Sequence, residues 1–183
     1  MKVTQLCIAL SSFPFRLPLS SHAYRTLRNS FFLLFAFSSS LVAVPLTNTN
    51  FQTAVNLWFS DEANATATYG HIKDWNTSAV TNMQNAFFNR SAFDENITDW
   101  DVSNVTNMYQ MFKGASVFNQ NISDWNTSSV TNMGNMFYGT NAFNQPIGNW
   151  DVSKVTAMGS MFRSNSSFNQ FIGNWDTSSV VIM

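Results

Sequence analysis

The side chains with the most chemical potential in this sequence are carboxylates flanking a recurring tryptophan. Asp74, Asp99 and Asp124 stand one residue before a Trp, and Asp101, Asp151 and Asp176 one residue after it. Oxygen donors brought close together either repel one another or share a divalent cation such as calcium. Asparagine interrupts both columns, as Asn149 and Asn174 before the Trp and Asn76 and Asn126 after it, which relieves the repulsion without a metal. Asp and Asn are also turn formers, because their side chains accept from backbone two residues on. The turn reading is the stronger one. No cofactor is expected, and calcium is kept only as the minor alternative.

Catalysis needs a nucleophile, a base and an orienting group that converge once. Here the chemistry-bearing residues recur in columns, and the rest are scattered: His22 and His71 stand apart, and Cys7 is the only cysteine. A non-enzymatic protein is expected, and because Cys7 falls in the expected leader the mature chain is expected to have no disulfides. Asn-x-Ser/Thr sequons occur at Asn64, Asn76, Asn89, Asn96, Asn104, Asn121, Asn126 and Asn165. These are candidate N-glycosylation sites in a secreting eukaryotic host.

Charge excludes another class. Lys2, Arg16, Arg25 and Arg28 precede the first acidic residue, Asp61. From Asp61 onward, Lys73, Arg90, Lys113, Lys154 and Arg163 are five cations against ten acidic residues, so this part sits near −5. A nucleic-acid surface needs clustered positive charge, and none is expected here.

The carboxylates belong to a repeat. Trp75, Trp100, Trp125, Trp150 and Trp175 are spaced by 25 residues. In the same register run Val80, Val105, Val130, Val155 and Val180; Met83, Met108, Met133, Met158 and Met183; and Ile72, Ile97, Ile122, Ile147 and Ile172. Two phenylalanine columns complete the set: Phe87, Phe112, Phe137 and Phe162, and Phe93, Phe118, Phe143 and Phe168. Such self-similarity marks a stacked repeat whose units cannot bury these side chains alone. The columns are therefore the expected core.

Within a unit, Val105, Met108 and Phe112 fall at i, i+3 and i+7, one apolar helical stripe. Ser103 is the expected N-cap, Asp101, Asn126 and Asp151 the expected Asx turns into the helix, and Gly114, Gly139 or Asn165 its end. Phe143, Gln145 and Ile147 alternate, which predicts a brief strand. The expected fold is an α/β repeat solenoid, one strand–helix coil per 25 residues, with short parallel strands covered by short helices. An all-β solenoid is the fallback.

Three regions are expected: a leader over 1–45, a cap and lead-in over 46–72, and the repeats over 73–183. The leader is acid-free and ends in an apolar run over 31–44, too short and too serine-rich for a typical span and suited to a cleaved signal. An organellar transit peptide and an uncleaved membrane anchor are the alternatives. In the lead-in, Phe51, Ala54, Val55, Trp58 and Phe59 form an amphipathic helix with Thr49 or Asn50 as N-cap. Met183 falls midway through a unit, so the last coil lacks a cap, which points to a longer protein or to self-association.

The unit I-x-x-W-[DN]-[TV]-S-x-V-T-x-M-x-x-M-F, followed by F-N-Q-x-I, resembles the BspA-like leucine-rich-repeat surface proteins. It is close to their mycoplasma-type branch, a domain of unknown function, and the likeness covers residues 47 to 183. The resemblance implies a leucine-rich-repeat-like solenoid, surface display or secretion, and a role in adhesion or protein recognition. It implies no catalytic residues. The functional expectation is a recognition scaffold for an extracellular protein or glycan, with Tyr109, Gln110, Lys113, Tyr138 and Arg163 as variable positions on the binding face. The alternative is a structural wall or matrix component in which the repeats act as spacers.

Overall fold

The computed structural model describes residues 43–183; the expected leader lies outside these residues except at its last three positions. α1 (Phe51–Ser60) buries Phe51, Ala54, Val55 and Trp58, the i, i+3, i+4, i+7 face. Asn50 precedes it, but its side chain makes no capping bond. Instead Asn50 Oδ1 accepts from the Thr47 N–H at 2.8 Å and Nδ2 donates to Pro45 O at 2.9 Å. The expected cap therefore secures the lead-in, and Phe51 N–H donates to Thr47 O. α2 (Glu62–Tyr69) is a second helix that the sequence reading missed, since only Ala65 of it is buried. Asp61 ends α1 and caps α2, accepting from the Asn64 N–H at 3.0 Å.

The repeats overturn the expected α/β solenoid. Among the described residues there are two short α-helices, a 3-10 turn at Ile72–Asp74, and no β-strand or sheet. Neighbouring units meet in isolated parallel bridges: Asn82 with Asn107, Asn107 with Asn132, Asn132 with Ala157, and Ala157 with Ile182. The all-β fallback fails for the same reason.

The missing helix has a specific cause. Gln110 and its equivalents Asn85, Asn135 and Ser160 have positive φ, and so do Asn89, Gly114, Gly139 and Ser164. Two left-handed residues per unit break any run of α-conformation. In a helix, the Phe112 N–H would donate to Met108 O four residues back. Here it donates to Met136 O at 3.0 Å, in the next unit. Met108, Gln110 and Gly114 N–H groups likewise donate to Asn132, Gly134 and Tyr138 O at 2.8–3.0 Å. Between these bonds the chain turns, with the Met111 N–H donating to Met108 O and the Ala115 N–H to Phe112 O.

The expected strand fails because side chains replace the backbone ladder. Asn144 N–H donates to Asn119 Oδ1 at 3.0 Å, and Gln145 Nε2 donates to Asn119 O at 2.7 Å. The same pair of bonds joins Asn119 and Gln120 to Asp94, and Asn169 and Gln170 to Asn144. Ile147 N–H turns back to Gln145 O. The F-N-Q motif is thus an inter-unit clip.

The columns meet inside. Phe87, Phe112, Phe137 and Phe162 stack with centroids 5.5, 5.6 and 5.8 Å apart. Phe93, Phe118, Phe143 and Phe168 form a parallel stack at 5.6, 5.9 and 6.1 Å. The two stacks pair within each unit, as Phe112 with Phe118 at 4.1 Å. Aromatic side chains bury roughly 150–250 Å² each, so these stacks dominate the core. From Trp100 onward, each repeat indole reaches back one unit. Trp100, Trp125, Trp150 and Trp175 Nε1 donate to Ile72, Ile97, Ile122 and Ile147 O at 2.8, 3.3, 3.0 and 3.1 Å.

α1 closes the first unit. Trp58 meets Trp75 edge-on at 6.2 Å, and Phe59 meets Phe87 and Phe93 at 6.3 and 5.8 Å. Asn48 ties the two parts together, its Oδ1 accepting from the Thr81 N–H and its Nδ2 donating to Thr81 Oγ1.

Candidate functional site

Most residues singled out in the sequence are consumed by this architecture. Trp75, Trp100, Trp125, Trp150, Val105, Val130, Val155, Met108, Met133 and Met158 are buried, as are Phe112, Phe137, Phe118, Phe143, Ile97, Ile122 and Ile147. Phe162, Phe168, Ile172 and Trp175 of the last unit are only partly buried. None of these side chains presents a reactive group to solvent.

The carboxylates after the Trp make turns. Asp101 Oδ1 accepts from Ser103 Oγ at 2.6 Å and from its N–H at 2.9 Å. Asp151 does the same with Ser153, and Asn76 and Asn126 with Ser78 and Ser128. Ser103 thus serves the Asx turn rather than a helix N-terminus. The Ser103 hydroxyl, then its N–H, holds the Asp101 carboxyl below its usual value, and Ser153 and Ser178 do so for Asp151 and Asp176. No group of three or more His, Cys, Asp or Glu suited to a metal occurs among the described residues. His71 Nδ1 accepts from the Lys73 N–H at 3.3 Å, and its ring packs edge-on against Trp58 at 4.9 Å.

The sequons are unequal. Asn64, Asn76, Asn89, Asn96, Asn121 and Asn126 are exposed. Asn104 is exposed too, but its Nδ2 donates to Ser78 O at 2.9 Å. Asn165 is half-buried, with Nδ2 donating to Phe143 O and Oδ1 accepting from the Ser167 and Phe168 N–H groups. The amide nitrogen a glycan would need is therefore committed at those two positions.

What remains is a surface ridge. Phe88, Lys113, Tyr138 and Arg163 occupy the same position in four successive units and line up along the stack. Cations and rings alternate: Lys113 Nζ lies 5.6 Å from the Phe88 ring and 5.0 Å from that of Tyr138. The Arg163 guanidinium lies 5.6 Å from Tyr138, and the Arg90 guanidinium 4.3 Å from Phe59. Phe88 and Arg163 are exposed, and Lys113 and Tyr138 half-buried. Beside the ridge, Tyr109 lies over Gly134, where a Cβ would stand 3.2 Å from its ring, and receives a hydrogen bond from Gln110 Nε2. Phe88 was missed in the sequence, although the 25-residue register placed it with the other three.

No curated protein and no solved structure matches the chain. The family described as "Mycoplasma protein of unknown function, DUF285" matches over residues 53–162 and again over 121–183. These two stretches hold α1 from Thr53 onward, all the tryptophans and both phenylalanine stacks. The chain belongs to this mycoplasma-type family of repeat proteins of unknown function.

Proposed function

We propose that this protein is a non-enzymatic recognition scaffold, secreted or displayed at a cell surface, that holds an acidic protein segment along its ridge. The observation that carries this reading is the alternation of Phe88, Lys113, Tyr138 and Arg163 in register on adjacent units. Tyr and Arg are favoured anchors at protein interfaces, because they combine large contact area with directed polar groups. The ridge also draws cations together in a part of the chain where acidic residues outnumber them. A ligand carrying carboxylates is the complement. The acid-free leader with its apolar run, and the resemblance of the repeat to BspA-like surface proteins, support a place outside the cell.

The test is binding of the full chain to immobilised Glu-rich peptides that contain Tyr. Saturable, salt-sensitive binding that is lost in Lys113→Ala/Arg163→Ala, with an unchanged thermal midpoint, supports the reading. Equal binding by the double variant sinks it.

A spacer role is the second reading, supported by the regular unit-to-unit register of the phenylalanine stacks. Concentration-dependent self-association without peptide binding would favour it.

A further inference from the structure

We propose that the partner segment held by the ridge is an α-helix, with apolar and acidic residues alternating along one face at i, i+3, i+7 and i+10. The proposal deepens the ridge reading and rests on it, adding the partner's conformation and register to its charge.

The ridge is a ruler along the stack. Its side chains follow one another at 5.6, 5.0 and 5.6 Å, from Phe88 through Lys113 and Tyr138 to Arg163. The phenylalanine stack one position earlier in sequence advances by nearly the same amount, 5.5 to 5.8 Å. The spacing therefore belongs to the repeat and not to one pair of side chains. Half a heptad of α-helix advances about 5.3 Å and returns to the same face. Three such steps keep an apolar, acidic, apolar, acidic row opposite Phe88, Lys113, Tyr138 and Arg163. An extended strand returns to a face only after about 6.7 Å, so it falls out of step by roughly 4 Å over three intervals. A polyproline II segment returns after about 9.3 Å. It would meet the rings or the cations, but not both.

The charge around the ridge selects an acidic partner. Segments 84–90, 109–115, 134–140 and 159–165 carry Arg90, Lys113 and Arg163 and no Asp or Glu. Three of the five cations from Asp61 onward fall in these segments, and all ten acidic residues lie outside them. Arg90 donates to Asn56 Oδ1 at 3.1 Å, whereas Lys113 and Arg163 meet rings. A ring face leaves a cation its outward N–H groups, which a carboxylate can take. One flank gives access. The residues that follow the ridge positions are Asn89, Gly114, Gly139 and Ser164, and a Cβ on Gly139 would meet nothing within 4 Å. Backbone without side chains beside Lys113 and Tyr138 lets a helix, a cylinder about 10 Å across, come down onto the ridge. Its apolar residues then cover Phe88, 38 % exposed, and the half-buried ring of Tyr138.

Fluorescence anisotropy of labelled peptides titrated with the full chain tests the proposal. The reference peptide is an alanine-rich helix carrying Leu, Glu, Leu and Glu at i, i+3, i+7 and i+10. One companion has the same residues dispersed around the helix. A second has one extra alanine between the second and third contacts, which turns half of the face by about 100°. A third has two central alanines replaced by proline, which breaks the helix. Saturable binding of the reference peptide is expected, weaker by about tenfold or more for each companion and for Lys113→Ala/Arg163→Ala. An unchanged thermal midpoint in that double variant shows that contacts, not folding, were lost. A companion that binds as tightly as the reference, with binding still lost in the double variant, overturns the helix and leaves the acidic ridge reading standing. Binding that the double variant does not change, or no binding by any of the four peptides, overturns both.

Discussion

The units around Trp125 and Trp175 carry nearly the same residues, yet they are not the same environment. Trp125, Phe137 and Phe143 are buried between neighbours. In the last unit, Phe162, Phe168, Ile172 and Trp175 are only partly covered. A unit's own sequence specifies its turns, but the unit that follows completes its core. The first unit has no repeat before it, and α1 does that work with different residues, laying Trp58 and Phe59 against Trp75, Phe87 and Phe93. Repetition alone therefore does not decide stability; the neighbour does.

Truncating one tryptophan in each place breaks the comparison most directly. Trp125→Ala should cost about 3–5 kcal/mol, the usual loss for a large buried aromatic. Trp175→Ala should cost less, about 1–2 kcal/mol, because its ring is only partly buried. Urea unfolding of both variants measures the gap, and equal losses would sink the stacking account.

Backbone strain gives a smaller effect. At Gly114, with φ of +74°, an added Cβ would lie 2.5 Å from Asn89 Oδ1. Gly114→Ala should destabilise by about 1–3 kcal/mol. Gly139 has φ of +68° and open space around it. Gly139→Ala should cost only the left-handed penalty of about 1–2 kcal/mol. Thermal melts of the pair separate steric crowding from conformation, and a larger loss at Gly139 would refute this division.

The smallest effect is electrostatic. Asp101, Asp151 and Asp176 have folded pKa values below the ordinary 3.8. Their contribution is present above that value and is lost as the pH falls through the lowered folded values. Asn76 and Asn126 make the same turn without a titrating group. Replacing all three aspartates by Asn should flatten the fall of the thermal midpoint between about pH 5 and pH 2. An unchanged slope would show that other carboxylates govern it.

The helix expected over Val105, Met108 and Phe112 shows where the sequence misleads. An i, i+3, i+7 stripe reports which side chains face the core, and all three do. It does not report where the N–H groups go. Gln110 at φ +57° carries no signal of its own, since glutamine is an ordinary helix residue. Asn119 and Asn144 read as turn or strand residues, whereas their side-chain Oδ1 atoms accept from backbone N–H groups 25 positions on, in the next unit. α2 escaped notice because it buries one alanine and has no apolar stripe to betray it. Asn85 stood in no apolar column, and only burial shows that its carbonyl lacks a donor.

The sequence by itself determined the period, the membership of the Trp, Phe, Met and Ile columns, and the Asx turns at Asp101, Asn126 and Asp151. Each of these follows from residue type at fixed spacing. The tertiary structure alone decided that backbone amides bond to the next unit instead of to their own. Two left-handed positions per unit become tolerable only when a stacked neighbour supplies the carbonyls and covers the aromatic rings. It also decided which side chains are left over to meet a partner, because exposure belongs to the stack and not to any one unit.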